Sequence, residues 1–99
     1  MEVQIKGIHF DMSDKLEAFV QKKVDRLVRR YDYINTVEVD LRLIKPETSM
    51  NKEAGIQLTI AGSPDIYAKK VADTFEEAVD KALEAVEPQV EKFKEKNRL

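Results

Sequence analysis

The chain has 99 residues, 42% of them hydrophobic and 36% charged, which predicts one folded, soluble domain over residues 1–99 and excludes a disordered chain. It has no cysteine, which excludes a disulfide framework, a thiolate metal site and a cysteine nucleophile. The net charge is -2, no apolar run approaches the ~20 residues that span a membrane, and no signal peptide precedes the first predicted strand, so we expect a cytoplasmic protein.

Alternation of hydrophobic and polar residues predicts four strands. They cover Glu2–Ile8, Thr36–Lys45, Ile56–Ala61 and Ile66–Ala72. Within the first strand, Gly7 is expected to mark a bend or bulge near the end. The polar stretch 45–55 contains a proline and predicts a long hairpin loop between the second and third strands.

The most informative stretch is the amphipathic helix predicted over Ser13–Tyr31, with Ser13 as its N-cap. It carries six basic and three acidic residues, a local charge of +3 in a chain of -2. On a helical projection the two signs separate. The cations Lys15, Lys22, Arg26 and Arg29 fall within one narrow sector. Lys23 and Arg30 lie beside them, at the edge of the apolar face, and Asp14, Glu17 and Asp25 collect on the opposite flank. Such a basic ridge indicates an anionic partner, with RNA the first candidate, although a charge run is more often a solvated face.

A second helix follows the fourth strand. Thr74 and Glu77 fit a capping box, and Asp73 with Glu76 is a competing one. Hydrophobic residues then recur at spacings of three and four through Phe93. Pro88 lacks a backbone N–H and crowds the preceding turn, so we expect a kink or a restart there.

The predicted order is therefore β-α-β-β-β-α, an α+β fold. A right-handed crossover makes the first two strands parallel neighbours, and the others follow as an antiparallel meander. Each helix and the sheet have one apolar face, which predicts a two-layer sandwich with a four-stranded sheet and both helices on one face. The basic first helix then lies beside the second, and the two could present one continuous positive surface.

Residues typical of catalysis are scarce. His9 is the only histidine and has no further metal ligands at compatible spacing, so we expect it to be structural or exposed. The sequence has no nucleotide-binding or hydrolase motif, and no cofactor is predicted. The carboxylates of helix two predict a solvated helical face: Glu76, Glu77, Asp80, Glu84, Glu87 and Glu91. An enzyme is therefore not expected.

The basic residues remain as candidates for contact with RNA phosphates. They are Lys22, Lys23, Arg26, Arg29 and Arg30 on helix one, and Lys92, Lys94, Lys96 and Arg98 in the tail. Just past the ridge, Tyr31 is expected in the core, and Tyr33 either stacks on a base or caps the sheet edge. No pattern indicates sequence-specific base reading.

Nearly the whole chain resembles a known family, the ribosome hibernation-promoting factors, also called ribosome-associated inhibitor or sigma-54 modulation proteins. The matching residues are Ile5-Lys6-Gly7, Met12-Ser13-Asp14-Lys15-Leu16, Phe19-Val20, Lys23, Arg26-Leu27, Tyr31-Asp32, Ile34-Asn35-x-Val37, Ile66-x-Ala68, Val79-Asp80 and Gln89-Val90-x-Lys92-x-Lys94. The ordered set, with the same length and element order, carries the resemblance rather than any single motif.

The resemblance implies a fold like a double-stranded-RNA-binding domain. It also implies binding to ribosomal RNA in the decoding region of the small subunit, where the family overlaps the mRNA and tRNA positions and keeps ribosomes inactive in starvation or stationary phase. The chain resembles a short member, which either uses a separate ribosome-dimerising factor or holds single ribosomes.

The resemblance carries over residue by residue only in part. The family's basic positions on helix one match Lys23 and Arg26. On helix two, where relatives commonly have Tyr, Lys and Arg, this chain has Glu76, Ala85 and Pro88.

An alternative function uses the sheet and no RNA. The free face of the predicted sheet includes Arg42, Ile44, Thr59 and Tyr67, and an exposed strand edge can pair with another chain. This pattern is compatible with a protein-interaction module.

Overall fold

The computed structural model describes residues 2–44 and 49–97, except for the side chains of residues 96 and 97. Its elements are β1 (Glu2–Ile8), α1 (Asp14–Arg30), β2 (Ile34–Leu43), β3 (Lys52–Ile60), β4 (Ile66–Ala72) and α2 (Phe75–Asn97). The predicted order β-α-β-β-β-α is confirmed. No helix within these residues is both long enough and apolar enough to cross a membrane.

The four strands form one mixed sheet in the order β1-β2-β3-β4. β1 is parallel to β2, and the β2–β3 and β3–β4 pairs are antiparallel. The register aligns Ile5 with Val39, Val39 with Ile56, and Ile56 with Ala68, so an apolar row crosses all four strands. This alignment gives the sheet the single apolar face that the alternation predicted.

Both helices cover that apolar face. Val20, Val24 and Leu27 of α1 join the same buried cluster as the inward residues of the strands. The second helix contributes Ala78, Val79, Ala82, Leu83, Val86 and Val90. The predicted two-layer α+β sandwich is therefore confirmed, and the polar sides of the helices are directed away from the sheet.

Side-chain caps begin both helices. The Leu16 N–H donates to Ser13 Oγ over 3.1 Å, and the Glu77 N–H donates to Thr74 Oγ1 over 3.1 Å. Asp73, the competing cap residue, instead accepts a 2.7 Å hydrogen bond from the backbone N–H of Met50. Thr74 is therefore the cap, and Asp73 ties the β2–β3 connection to the start of α2.

Two strands start earlier than the alternation predicted. β2 begins at Ile34 rather than Thr36, and β3 begins at Lys52 rather than Ile56. The residues from Lys52 to Gly55 are poor strand formers, yet they pair with β2 on one side and β4 on the other. Only the outer part of the predicted hairpin loop remains, and residues 45–48 lie outside the described residues.

Gly7 and Pro88 do not interrupt their elements. The β1–β2 register continues through Gly7 without a bulge. A Cβ at Gly7 would lie 3.0 Å from the carbonyl oxygen of Phe10, so a close approach of the chain explains the glycine. The second helix passes through Pro88 without a restart.

Candidate nucleic-acid interface

The cations in the last three turns of α1 form two rows. The outer row is Lys22, Arg26 and Arg29, whose side chains are exposed. None of the three forms an ion pair or a hydrogen bond with another described residue. The nearby carboxylate of Asp25 instead accepts a 2.9 Å hydrogen bond from Gln21 Nε2. The outer row therefore offers three charges without partners in the described part of the chain.

The inner row is Lys23 and Arg30, and both cations face α2. Lys23 Nζ lies 3.2 Å from Asp80 Oδ1 and 5.3 Å from the centre of the Phe19 ring. The ammonium group is thus held between a carboxylate of α2 and an aromatic ring of its own helix.

Arg30 is held in the same manner. Its guanidinium lies 3.7 Å from Glu87 Oε2 and 3.9 Å from Glu91 Oε1. It also lies 5.3 Å from the centre of the Tyr31 ring. Every cation of the inner row is therefore paired with carboxylates of α2.

The ion pairs show that α1 and α2 run parallel. Lys23 meets Asp80 and Arg30 meets Glu87, so both pairs join residues separated by 57 positions.

Between the helices lies an open groove of about 370 Å³. Its lining is Lys23, Arg26, Leu27, Arg30, Asp80, Leu83, Glu84 and Glu87.

The predicted continuous positive surface across both helices is wrong. The flank of α2 that faces α1 carries an acidic row, Asp80, Glu84, Glu87 and Glu91, in place of cations. The sequence contained the signal, because spacings of four, three and four place these residues along one side of a helix. Sequence reasoning interpreted them as a solvated face and missed their pairing with α1.

The predicted basic tail lies apart from this groove. Lys92 and Lys94 are exposed on α2. Lys92 borders a different pocket, of about 430 Å³, together with the β3–β4 turn and Phe93. The side chain of Lys96 and the whole of Arg98 lie outside the described residues. The contact of the tail with RNA stays a prediction.

The two tyrosines after the ridge pack against α2. Tyr31 is 1% exposed, which confirms its place in the core, and its hydroxyl donates a 2.6 Å hydrogen bond to Glu91 Oε1. Burial, followed by this bond, raises the pKa of Tyr31 to about 12. The ring of Tyr33 contacts those of Tyr31 and Phe93, and burial followed by the charge of Glu91 raises its pKa. These contacts favour a packing role for Tyr33 over base stacking.

Other parts of the described chain offer little catalytic chemistry. His9 is exposed, as expected, and has a positive φ of 65°. No group of three or more potential metal ligands occurs within residues 2–44 and 49–97. On the outer face of the sheet, Tyr67 is 52% exposed and Ile44 is 40% exposed. The hydroxyl groups of Thr36 and Thr59 bond each other there.

Residues 3–98 match the sequence model of the family described as sigma 54 modulation protein / S30EA ribosomal protein. The chain belongs to this family. The predicted resemblance is thereby confirmed, and membership agrees with a binding protein rather than an enzyme.

Relatives of the S30EA family cover most of the chain. A ribosome hibernation promoting factor of Azotobacter vinelandii is 28% identical over 97% of this chain and 85% of its own length. The protein of the same name from Acidithiobacillus ferridurans is 25% identical over 74% of this chain and 90% of its own length.

Solved structures share the fold. A ribosomal subunit interface protein from Coxiella burnetii superposes with a TM-score of 0.82 at 26% identity, over 95% of this chain and 98% of that one. The N-terminal domain of Protein Y from Thermus thermophilus gives a TM-score of 0.72 at 26% identity, over 92% and 94% of the two chains.

Proposed function

We propose that this protein is a ribosome hibernation factor that acts in the cytoplasm under stress or in stationary phase. It binds ribosomal RNA in the decoding region of the small subunit and inhibits translation by occupying the mRNA and tRNA positions. The outer row of α1, Lys22, Arg26 and Arg29, contacts RNA phosphates.

The observation that carries this proposal is the outer row itself. Three exposed cations lie at spacings of four and three on one helix, and none of them forms an ion pair with a described residue. Phosphate contacts need cations on a stable support and no particular base sequence. The names of the relatives, ribosome hibernation promoting factor and ribosomal subunit interface protein, support the ribosome as the source of that RNA.

Inhibition by occlusion requires only bulk and affinity. The molecule measures 46 × 22 × 17 Å along its principal axes, so a bound copy excludes other ligands from a large volume. The proposed mechanism therefore includes no bond-making step and no cofactor. Bound tRNA and this protein are expected to compete for the same small subunits.

The test is co-sedimentation with purified small subunits and whole ribosomes across a salt series, with tRNA as competitor. We expect Lys22→Gln/Arg26→Gln/Arg29→Gln to bind at least about tenfold more weakly. The plot of its log affinity against log salt should also be shallower, with a slope smaller in magnitude by about 2 to 3. A matched control, Arg42→Gln/Lys69→Gln/Lys70→Gln, removes three exposed cations from the strands. Wild-type affinity in the triple α1 variant would contradict the proposed surface.

The control also tests the second candidate function, a protein-interaction module. The exposure of Tyr67 and Ile44 on the sheet side favours this candidate. If wild type does not sediment with ribosomes even at low salt, the ribosomal proposal fails. If only the strand variant loses binding, the sheet is the contact surface.

Sucrose gradients of the bound particles distinguish single ribosomes from dimers formed with a separate dimerising factor.

A further inference from the structure

The inner row is already occupied by partners within the molecule. Lys23 pairs with Asp80, and Arg30 pairs with both Glu87 and Glu91. Glu84 lines the same groove and forms no ion pair with any described residue. Two inner cations, with Arg26 beside them, therefore face four carboxylates.

A phosphate approaching this groove meets two obstacles. It must first displace a carboxylate from Lys23 or Arg30. Once displaced, that carboxylate stays within a few ångströms of the phosphate, and like charges repel at this distance. The pairs are partly exposed, since 27% of the Lys23 side chain and 46% of the Asp80 side chain are accessible to solvent. They therefore contribute little to folding stability. Their main effect falls on the charge that the surface offers to an anion.

We propose that the acidic row of α2 competes with RNA for Lys23 and Arg30. The competition lowers the affinity for RNA and confines the RNA-contacting surface to the outer row. This inference rests on the proposed function for its biological setting. The competition itself is a property of the groove and applies to any RNA backbone.

The first measurement compares RNA affinity when the carboxylates are neutralised. Asp80→Asn/Glu87→Gln keeps the shapes of both side chains and removes a charge facing Lys23 and one facing Arg30. We expect about three- to tenfold tighter binding to a fluorescent RNA duplex, and a salt slope steeper by about 1 to 2, because up to two further cations become available. Thermal melts are expected to match wild type.

A matched control separates this local effect from net charge. Glu2→Gln/Glu53→Gln also raises the formal charge by two, from -2 to 0. Both residues lie on strands, in the sheet layer rather than in the helix layer that forms the groove. If the control tightens binding as much as Asp80→Asn/Glu87→Gln does, the competition is refuted and the effect is only long-range charge.

A double-mutant cycle tests the Lys23–Asp80 pair directly. Lys23→Gln is expected to weaken duplex binding less than twofold in wild type and about three- to fivefold in the Asp80→Asn background. Equal effects in the two backgrounds overturn the inference. So does a lack of duplex binding by Asp80→Asn/Glu87→Gln at low salt.

The same variants tested on ribosomes keep the two proposals apart. If duplex affinities follow the expected order while no variant sediments with small subunits, the ribosomal function fails and the competition stands. If wild type binds small subunits and neutralising Asp80 and Glu87 changes neither affinity nor salt slope on either RNA, the function stands and the competition fails.

Discussion

The hydroxyl of Tyr31 donates a 2.6 Å hydrogen bond to the carboxylate of Glu91, and this bond joins the end of α1 to the last turns of α2. Arg30 reaches the same Glu91 oxygen, at 3.9 Å. One carboxylate therefore links the core tyrosine to the inner row of cations. This link adds a polar contact between the two helices to their shared packing in the core.

Removal of that hydroxyl is expected to destabilise the fold. Tyr31→Phe keeps the buried ring and loses the bond to Glu91, so the free energy of unfolding should fall by about 1 to 2 kcal/mol. Urea denaturation provides the measurement. Tyr67→Phe is the control, because the ring is exposed and its hydroxyl has no hydrogen-bond partner among the described residues; the expected change is below about 0.5 kcal/mol. Equal stabilities for the two variants would contradict the role of the bond.

Stability is also expected to depend on alkaline pH. Burial and the bond to Glu91 raise the pKa of Tyr31 from 10.0 to about 12. The folded state holds the proton more tightly than the unfolded state, so this stabilisation is complete below pH 10 and is lost as the pH rises towards 12. Unfolding free energies measured across this interval should decline more steeply for wild type than for Tyr31→Phe. Parallel curves would contradict this assignment, and Tyr33 contributes in the same direction to both.

Two strand glycines are expected to respond differently to alanine. At Gly7 the new Cβ would lie 3.0 Å from the backbone oxygen of Phe10, which cannot move alone, so we expect a loss of about 1 to 3 kcal/mol. At Gly55 the nearest atom, at 2.9 Å, is the hydroxyl oxygen of Tyr67, at the end of a flexible side chain. Gly55→Ala should cost less, and Tyr67→Phe should relieve its cost. Chemical denaturation of the single and double variants checks both expectations.

Pro88 offers a route to a more stable protein. It is exposed, and it lies inside a continuous helix where it cannot donate to the carbonyl of Glu84. Pro88→Ala restores the donor, so we expect a gain of about 1 to 3 kcal/mol and a higher Tm. Calorimetry checks the gain, with Glu95→Ala, an exposed change on the same helix, as control. An unchanged Tm would show that the helix accommodates the proline without strain.

Much of the fold followed from local patterns. Alternation in β2 and β4 identified the inward residues, such as Val39 and Ala68, because only one face of the sheet is buried. The start of β3 did not follow, since Glu53 and Gly55 have low strand propensity and pair only because two neighbouring strands lie beside them. Pairing of this kind depends on tertiary structure and leaves no local signal.

The candidate interface was predictable one helix at a time. The helical projection placed Lys22 in the basic sector and Lys23 beside it, at the edge of the apolar face, but it could not tell that Lys23 meets Asp80 while Lys22 forms no ion pair with a described residue. That distinction depends on the direction and register of α2 relative to α1. The helices share a direction because α1 follows β1, α2 follows β4, and these two strands run the same way. The ion pairs reveal the register.

The parallel arrangement of α1 and α2 also polarises the molecule along its length. The macrodipoles of two parallel helices add, with their positive ends at one pole and their negative ends at the other. Asp14 and Glu76 lie at the positive pole, and Arg29 and Arg30 lie at the negative pole of α1. Each of these side chains carries a full charge, which exceeds the roughly half charge of a helix end. The pole with Asp14 and Glu76 is therefore acidic and the C-terminal end of α1 is basic, so a polyanion is favoured to approach the basic end first.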